Sequence, residues 1–419
     1  MKLIPLVTLV SPWNLFIASW GIQLTLYLLN IAEFLPTGSS AWSAIFSLVL
    51  ISAGAFLTAS LIGYLSLRSL NELGILRDQT TTLYQKILST SKTRTRWAAL
   101  ALMVLIGVIT IANWRSYGPL PAITILTGAN SEYTYLNYGR LMYVVFSAAM
   151  LLGLLSLLER SKLRAALMIG FAIGTFLVYV SRGFLIQAVI QYILFWIFMR
   201  RPKLNLRTFL AILSAVVIIG LVLGWIGSIR TGTSQFISAM RIRQEWQGWP
   251  SGVLWAVGYI SFPLANMIAL YNSFRDYTGG VLNLTASIPP IFWGTFGLED
   301  TTSLLDPIIR TYFPNPLNTV ATYNGWIFID FGIWGVFIFN FFLGLFGSLF
   351  YMLARMRGSL VAIMCCSIFI SCLILGVFAN LFLNATILTQ FFLAILLSIF
   401  LRPHMVDVGS KIIKVHPYA

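Results

Sequence analysis

Long apolar runs separated by short basic clusters dominate this chain. A helix crosses the hydrocarbon core of a bilayer with about 20 mostly apolar residues. By that measure the sequence predicts helices near 12–31, 43–67, 97–114, 141–158, 164–181, 183–199 and 207–229, then near 326–353, 359–379 and 382–401. The stretch 230–325 is mixed: it holds the apolar segment Gly252–Tyr271 and a weaker one around Val281–Gly297. Two extra spans, a re-entrant pair and a folded external loop all fit that pattern.

Composition narrows the class. The 419 residues are 58% hydrophobic and 9% charged, with mean hydropathy +0.87. A soluble domain carries about 25% charged residues, so for most of this chain the solvent is lipid. The expectation is an all-α polytopic integral membrane protein of about 10–12 transmembrane helices. Residues 1–419 form one membrane domain, with 230–325 as a large external loop. The run Pro12–Ile31 is long enough to span, and no small-residue cleavage site follows it, so no signal peptide is expected. Cys365, Cys366 and Cys372 share one late apolar run and carry neither a metal-ligand spacing nor a disulfide framework.

The net charge of +15 does not point to nucleic acid, because the basic residues sit in short loops between apolar runs. One set of loops holds Lys2, the cluster from Arg68 to Arg96, Arg160–Arg164, Arg200–Arg207, Arg355, Arg357, Arg402, Lys411 and Lys414. The opposite set holds Arg115, Arg140, Arg182, Arg230, Arg241, Arg243, Arg275 and Arg310. The richer set marks the cytoplasm, so both termini are expected inside and 230–325 outside; a single crossing in that stretch would break the parity. Every lysine falls on the inner side, and the outer side carries arginine alone. Arginine offers a planar fork that grips phosphate oxygens in pairs, which suits a diphosphate site.

Arg182 stands in Ser181-Arg182-Gly183 between two apolar runs with almost no loop. It reads either as a side chain snorkelling to headgroups or as a site residue held against the bundle. The loop before Gly252 carries Arg230, Arg241, Arg243, Glu245 and Trp246, with Phe236, Ile237 and Met240 on one helical face. That describes an amphipathic helix on the membrane, or a funnel of arginines for phosphates with Glu245 as a base. Asp330, just inside a span, is either a base or an acceptor for neighbouring backbone and hydroxyl groups. External aromatics, among them Trp246, Trp249 and Tyr323, belong to an interfacial belt or to a sugar-binding surface. The remaining outer carboxylates read as solvated loop residues, without ligand spacing for a metal. His404 and His416 both fall in the cytoplasmic tail, so outward-facing chemistry would use a carboxylate, tyrosine or arginine.

This plan resembles the bacterial O-antigen and oligosaccharide repeat-unit polymerases. The likeness rests on the many spans with a large outer loop in the second half, on Ser181-Arg182-Gly183, and on Thr319, Thr322, Asp330-Phe331-Gly332 and Gly335. It implies a metal-independent, cofactor-free glycosyltransferase in the bacterial inner membrane, working on undecaprenyl-diphosphate-linked oligosaccharides at the periplasmic face. Arg182, Arg230, Arg241, Arg243 and Arg310 would stabilise the leaving diphosphate, Asp330 or Glu245 would act as base, and a polysaccharide co-polymerase would set chain length. Three alternatives stay open: an O-antigen ligase, a transporter or flippase for lipid-linked sugars, and a transferase using a polyprenyl-monophosphate donor. A ligase would carry an external catalytic His, which this sequence lacks. A transporter would carry internal repeats and mid-span charge.

Overall fold

The computed structural model describes residues 5–72, 92–126, 141–203, 205, 210, 214, 233–298, 301–315, 318–356 and 359–401. The helices over these residues are α1 (Leu6–Leu9), α2 (Pro12–Leu28), α3 (Ser39–Glu72), α4 (Lys92–Tyr117), α5 (Pro121–Leu126), α6 (Met142–Ser156), α7 (Lys162–Val178) and α8 (Arg182–Arg200). They continue with α9 (Thr233–Ala239), α10 (Ser251–Ser273), α11 (Val281–Ser287), α12 (Trp293–Phe296), α13 (Thr301–Tyr312), α14 (Tyr323–Met356), α15 (Leu360–Leu375) and α16 (Ala385–Phe400). The described residues contain no β-strand, only the isolated bridges Pro5–Lys203 and Ala32–Ile242.

Among the described residues five helices, α3, α4, α8, α10 and α14, are long and apolar enough to cross a membrane, and α6, α15 and α16 are shorter apolar helices. The protein is an all-α, polytopic membrane protein. Of the run 207–229 only residues 210 and 214 are described, and Arg230 lies outside the described residues.

Burial follows from where each helix sits in the bundle. A helix apolar on every side must be surrounded by others. Accordingly every residue from Val145 to Ser156 of α6, and from Ala362 to Leu373 of α15, is buried. The helices around them keep one face toward lipid, as Leu50 and Leu61 of α3 and Trp334 of α14 show by their exposure. Between apolar helices in lipid, association relies on close packing and on polar side chains that find partners. Helices α3 and α14 pack through small residues: Ser60 Oγ donates to Gly344 O at 3.2 Å and Ser348 Oγ to Ser60 O at 2.8 Å. Deeper in the bundle, Gln191 of α8 donates to Ser371 of α15 and to Gln390 of α16, each at 3.1 Å, and Ser147 of α6 donates to Thr386 O.

The segment α10 meets a different set of elements along each part of its length. Its N-terminal part meets Arg182, which opens α8, and Phe378, just past α15. Its middle meets Gln23 of α2 and Phe34 in the α2–α3 connection. Its C-terminal part meets Asn318, Val320 and the first residues of α14, and Tyr271 packs on Phe328. These partners gather toward one end of the bundle. The weaker apolar segment after it is not one helix. Gly279 and Gly280, both at positive φ, and Pro289-Pro290 divide it into α11, a 3-10 turn at Pro290–Phe292 and α12. None of these pieces has the length of a span. Helix α14 is itself broken at Gly332, whose φ of 63° and ψ of −156° fall in a region open essentially to glycine alone.

Candidate functional site

The end of the bundle where the partners of α10 gather also holds most of the sequence candidates. Arg182 is the first residue of α8, preceded by Val180 in the left-handed region (φ 52°) and by buried Ser181. The sharp turn aims its side chain across α10: the guanidinium carbon sits 5.7 Å from the Trp255 ring centroid, and Nη2 donates to Tyr259 Oη at 3.4 Å. Trp255 is sandwiched, stacking on Phe236 of α9 at 4.0 Å and on Tyr259 at 5.2 Å; Tyr259 in turn meets Phe378 edge-on at 5.3 Å. The pattern of an apolar segment did not single out Trp255 or Tyr259. Their spacing of four, which puts both rings on one helical face, was the available signal.

The loop carrying the other arginines is stitched to the same end. Ile242 is buried opposite Ala32, Arg243 N donates to Ile31 O at 2.9 Å, and Glu33 N donates to Arg241 O at 3.0 Å. Arg241 takes a left-handed backbone (φ 45°) and its side chain is exposed. Arg243 is half-buried, and its Nε is buried without a hydrogen-bond partner among the described residues, as is Trp255 Nε1. Phe236, on the Trp255 stack, lies five residues before Arg241, so the chain leads directly from the aromatic column under Arg182 into the Arg241–Arg243 turn. Among the described residues no carboxylate lies within ion-pair distance of Arg182, Arg241 or Arg243. A cation near the membrane boundary with no carboxylate partner among the described residues can meet an anion from elsewhere, a lipid headgroup or a ligand.

The remaining candidates occupy different surroundings. Glu245 is exposed on the turn Gln244–Trp246, and Trp246 and Trp249 pack 4.8 Å apart beside it, with Trp249 the more exposed. Arg310 is already paired: its Nε lies 2.7 Å from Asp306 one turn back on α13, both side chains exposed. Tyr323 lies in the core, 1% exposed, with its hydroxyl donating to Asn340 Oδ1 and its ring against Trp20, Phe339 and Phe382. It presents no ring face to a glycan.

Asp330 is also buried, 1% exposed, and its oxygens are filled. Oδ1 accepts from the Thr278 hydroxyl and from Leu282 N at 3.2 Å; Oδ2 accepts from Asn283 N at 2.8 Å and Asn283 Nδ2 at 2.6 Å. Leu282 and Asn283 are the second and third residues of α11, so a carboxylate from α14 caps α11 in place of a local side chain. Arg275 has a comparable duty at the C-terminus of α10, donating to the carbonyls of Tyr271, Asn272 and Phe274. Among the described residues no three His, Cys, Asp or Glu side chains cluster as metal ligands. Comparison with protein-family models, with curated proteins and with solved structures yields no match.

Proposed function

We propose that the protein is a glycosyltransferase that polymerises undecaprenyl-diphosphate-linked oligosaccharide repeat units at the periplasmic face of a bacterial inner membrane. The observation that carries this reading is the group of arginines at one bundle end that have no carboxylate partner among the described residues, with Arg182 braced on Trp255 and Tyr259. In the proposed reaction a hydroxyl of the acceptor sugar attacks the anomeric carbon of the donor glycan. The bond from that carbon to the diphosphate oxygen breaks, and undecaprenyl diphosphate departs with the electron pair. Pre-placed cations lower the barrier by meeting the charge as it develops on the leaving group; Arg182, Arg241 and Arg243 would do so. The acceptor proton passes to a carboxylate. Glu245 is exposed on the arginine loop, whereas both oxygens of Asp330 already accept hydrogen bonds, so Glu245 is the better base.

Reconstitution of the purified protein with a lipid-linked repeat unit, followed by sizing of the products, tests this. The expected product is a ladder of longer glycans still carried on undecaprenyl diphosphate, lost in Arg182→Ala while the protein still inserts. Unchanged substrate with the correct repeat unit would overturn the proposal. Transfer only when a lipid A acceptor is added would make the protein a ligase, and passage of the substrate across vesicles without growth would make it a flippase. A co-polymerase that sets chain length is part of the same proposal.

A further inference from the structure

Residues 277–298, between Asp276 and Glu299, form a stretch without a single charged side chain. Soluble loops of that length are not built so. Yet its pieces, α11, the Pro290–Phe292 turn and α12, are far too short to cross a bilayer. The outward side of this stretch is apolar: Tyr277, Val281, Leu284, Ile291, Phe292 and Phe296 are 41–63% exposed.

This shelf adjoins the lipid-facing side of α14. A Cβ on Gly280 would stand 2.7 Å from the Phe331 ring, and one on Gly332 would stand 2.9 Å from the Tyr277 ring. Phe331 and Trp334, 50% and 73% exposed, carry the apolar surface from the shelf onto the spanning helix without a polar break between them. Several backbone groups on the shelf find partners within it or on α14, as a low-dielectric setting requires. Trp293 Nε1 donates to Thr285 O at 3.1 Å and Ile288 O at 2.9 Å, Ser287 Oγ to Asn283 O at 2.7 Å, and Asp330 caps the other end of α11. The next helix, α13, is of opposite character: it shows water an exposed Asp306–Arg310 ion pair.

We infer that residues 277–298 are a shallow membrane insertion, a non-spanning shelf whose apolar face rests in the acyl chains of the leaflet at the end of the bundle where the partners of α10 gather. Short amphipathic elements of this kind settle about 5–10 Å into the headgroup and acyl boundary. Continuity with the lipid face of α14 commits the occupant to bilayer lipid. The inference does not depend on the enzymatic reading, since it concerns only where the surface sits.

The test is a spin label at Leu284→Cys and at Phe296→Cys, with Asp306→Cys as the water-side reference, in vesicles of phosphatidylethanolamine and phosphatidylglycerol. Native Cys365, Cys366 and Cys372 are buried and stay unlabelled. At 284 and 296, relaxation by oxygen should exceed relaxation by a water-soluble nickel chelate, with the order reversed at 306. Nickel access at 284 and 296 equal to that at 306 would overturn the inference. So would shielding from both agents with spin–spin broadening, which would place a second copy of the chain on the shelf. Phe292→Cys replaces either position if a variant fails to fold.

Discussion

Asp330 and Glu245 are both acidic residues expected near an outward-facing site, and their surroundings are opposite in kind. Asp330 accepts four hydrogen bonds from the two ends of one short segment, Thr278 and the first turn of α11. Glu245 faces outward beside Trp246 and Trp249. Replacing Asp330 by Asn puts an amide N–H₂ where donors already converge. At least one buried donor then loses its acceptor, at a cost of about 1–3 kcal/mol. The expected outcome for Asp330→Asn is therefore a lower thermal midpoint in detergent, with activity falling in step with the folded fraction. Glu245→Gln should leave that midpoint unchanged and slow polymer growth by about 10²–10⁴-fold, the range for loss of a general base. Full polymerisation by Glu245→Gln would remove Glu245 from the reaction. The sequence identified Asp330 as an unusual carboxylate but not its duty, because its donors lie about fifty residues earlier, beyond the reach of any local pattern. Trp255 and Tyr259 stayed hidden for the opposite reason: an aromatic ring in an apolar helix looks the same whether it packs a core or braces an arginine.

At the scale of elements, the length of the apolar runs placed most of the described long helices. Pro12–Leu28, Arg182–Arg200 and Ala385–Phe400 fall within a few residues of the runs expected at 12–31, 183–199 and 382–401. Hydropathy locates such helices because lipid demands it, but it does not say which helices touch. The α3–α14 contact depends on single small residues: a Cβ on Gly344 would come within 2.2 Å of the Phe56 carbonyl oxygen, a backbone atom that cannot swing aside. Gly54, on the exposed side of α3, has nothing within 4 Å of such a Cβ. Gly344→Val should therefore force the two helices apart and cost about 1–3 kcal/mol or more. Gly54→Ala should be neutral or slightly stabilising, since alanine is the better helix former by about 1 kcal/mol. Thermal unfolding of the two purified variants in the same detergent checks both. Equal midpoints would mean that α3 and α14 do not pack through Gly344.

For the whole molecule, the least legible feature is the course of α10. Its 23 residues would reach about 35 Å at 1.5 Å per residue, so length and hydropathy alone make it a span. Parity of the basic loops argues against a single crossing in this stretch and leaves α10 to be a re-entrant element. A helix crosses a membrane because lipid accepts its apolar surface. Here much of that surface is taken by protein: Leu264, Ala265, Met267 and Ile268 are all fully buried. A helix covered in this way has no need of lipid on all sides and can lie across the bundle end, holding Trp255 under Arg182 at one extremity and leading to the 277–298 shelf at the other. Two exposed positions, Trp249 just before α10 and Asp276 just after it, should then face the same compartment. Trp249→Cys and Asp276→Cys, each treated with a membrane-impermeant maleimide in oriented vesicles, should label from the same side, opposite to a cysteine introduced at Arg68 near the end of α3. Labelling of 249 and 276 from opposite sides would make α10 a true crossing. It would also reverse the side assigned to everything after it, and it would separate Arg182 from the shelf by the full thickness of the bilayer.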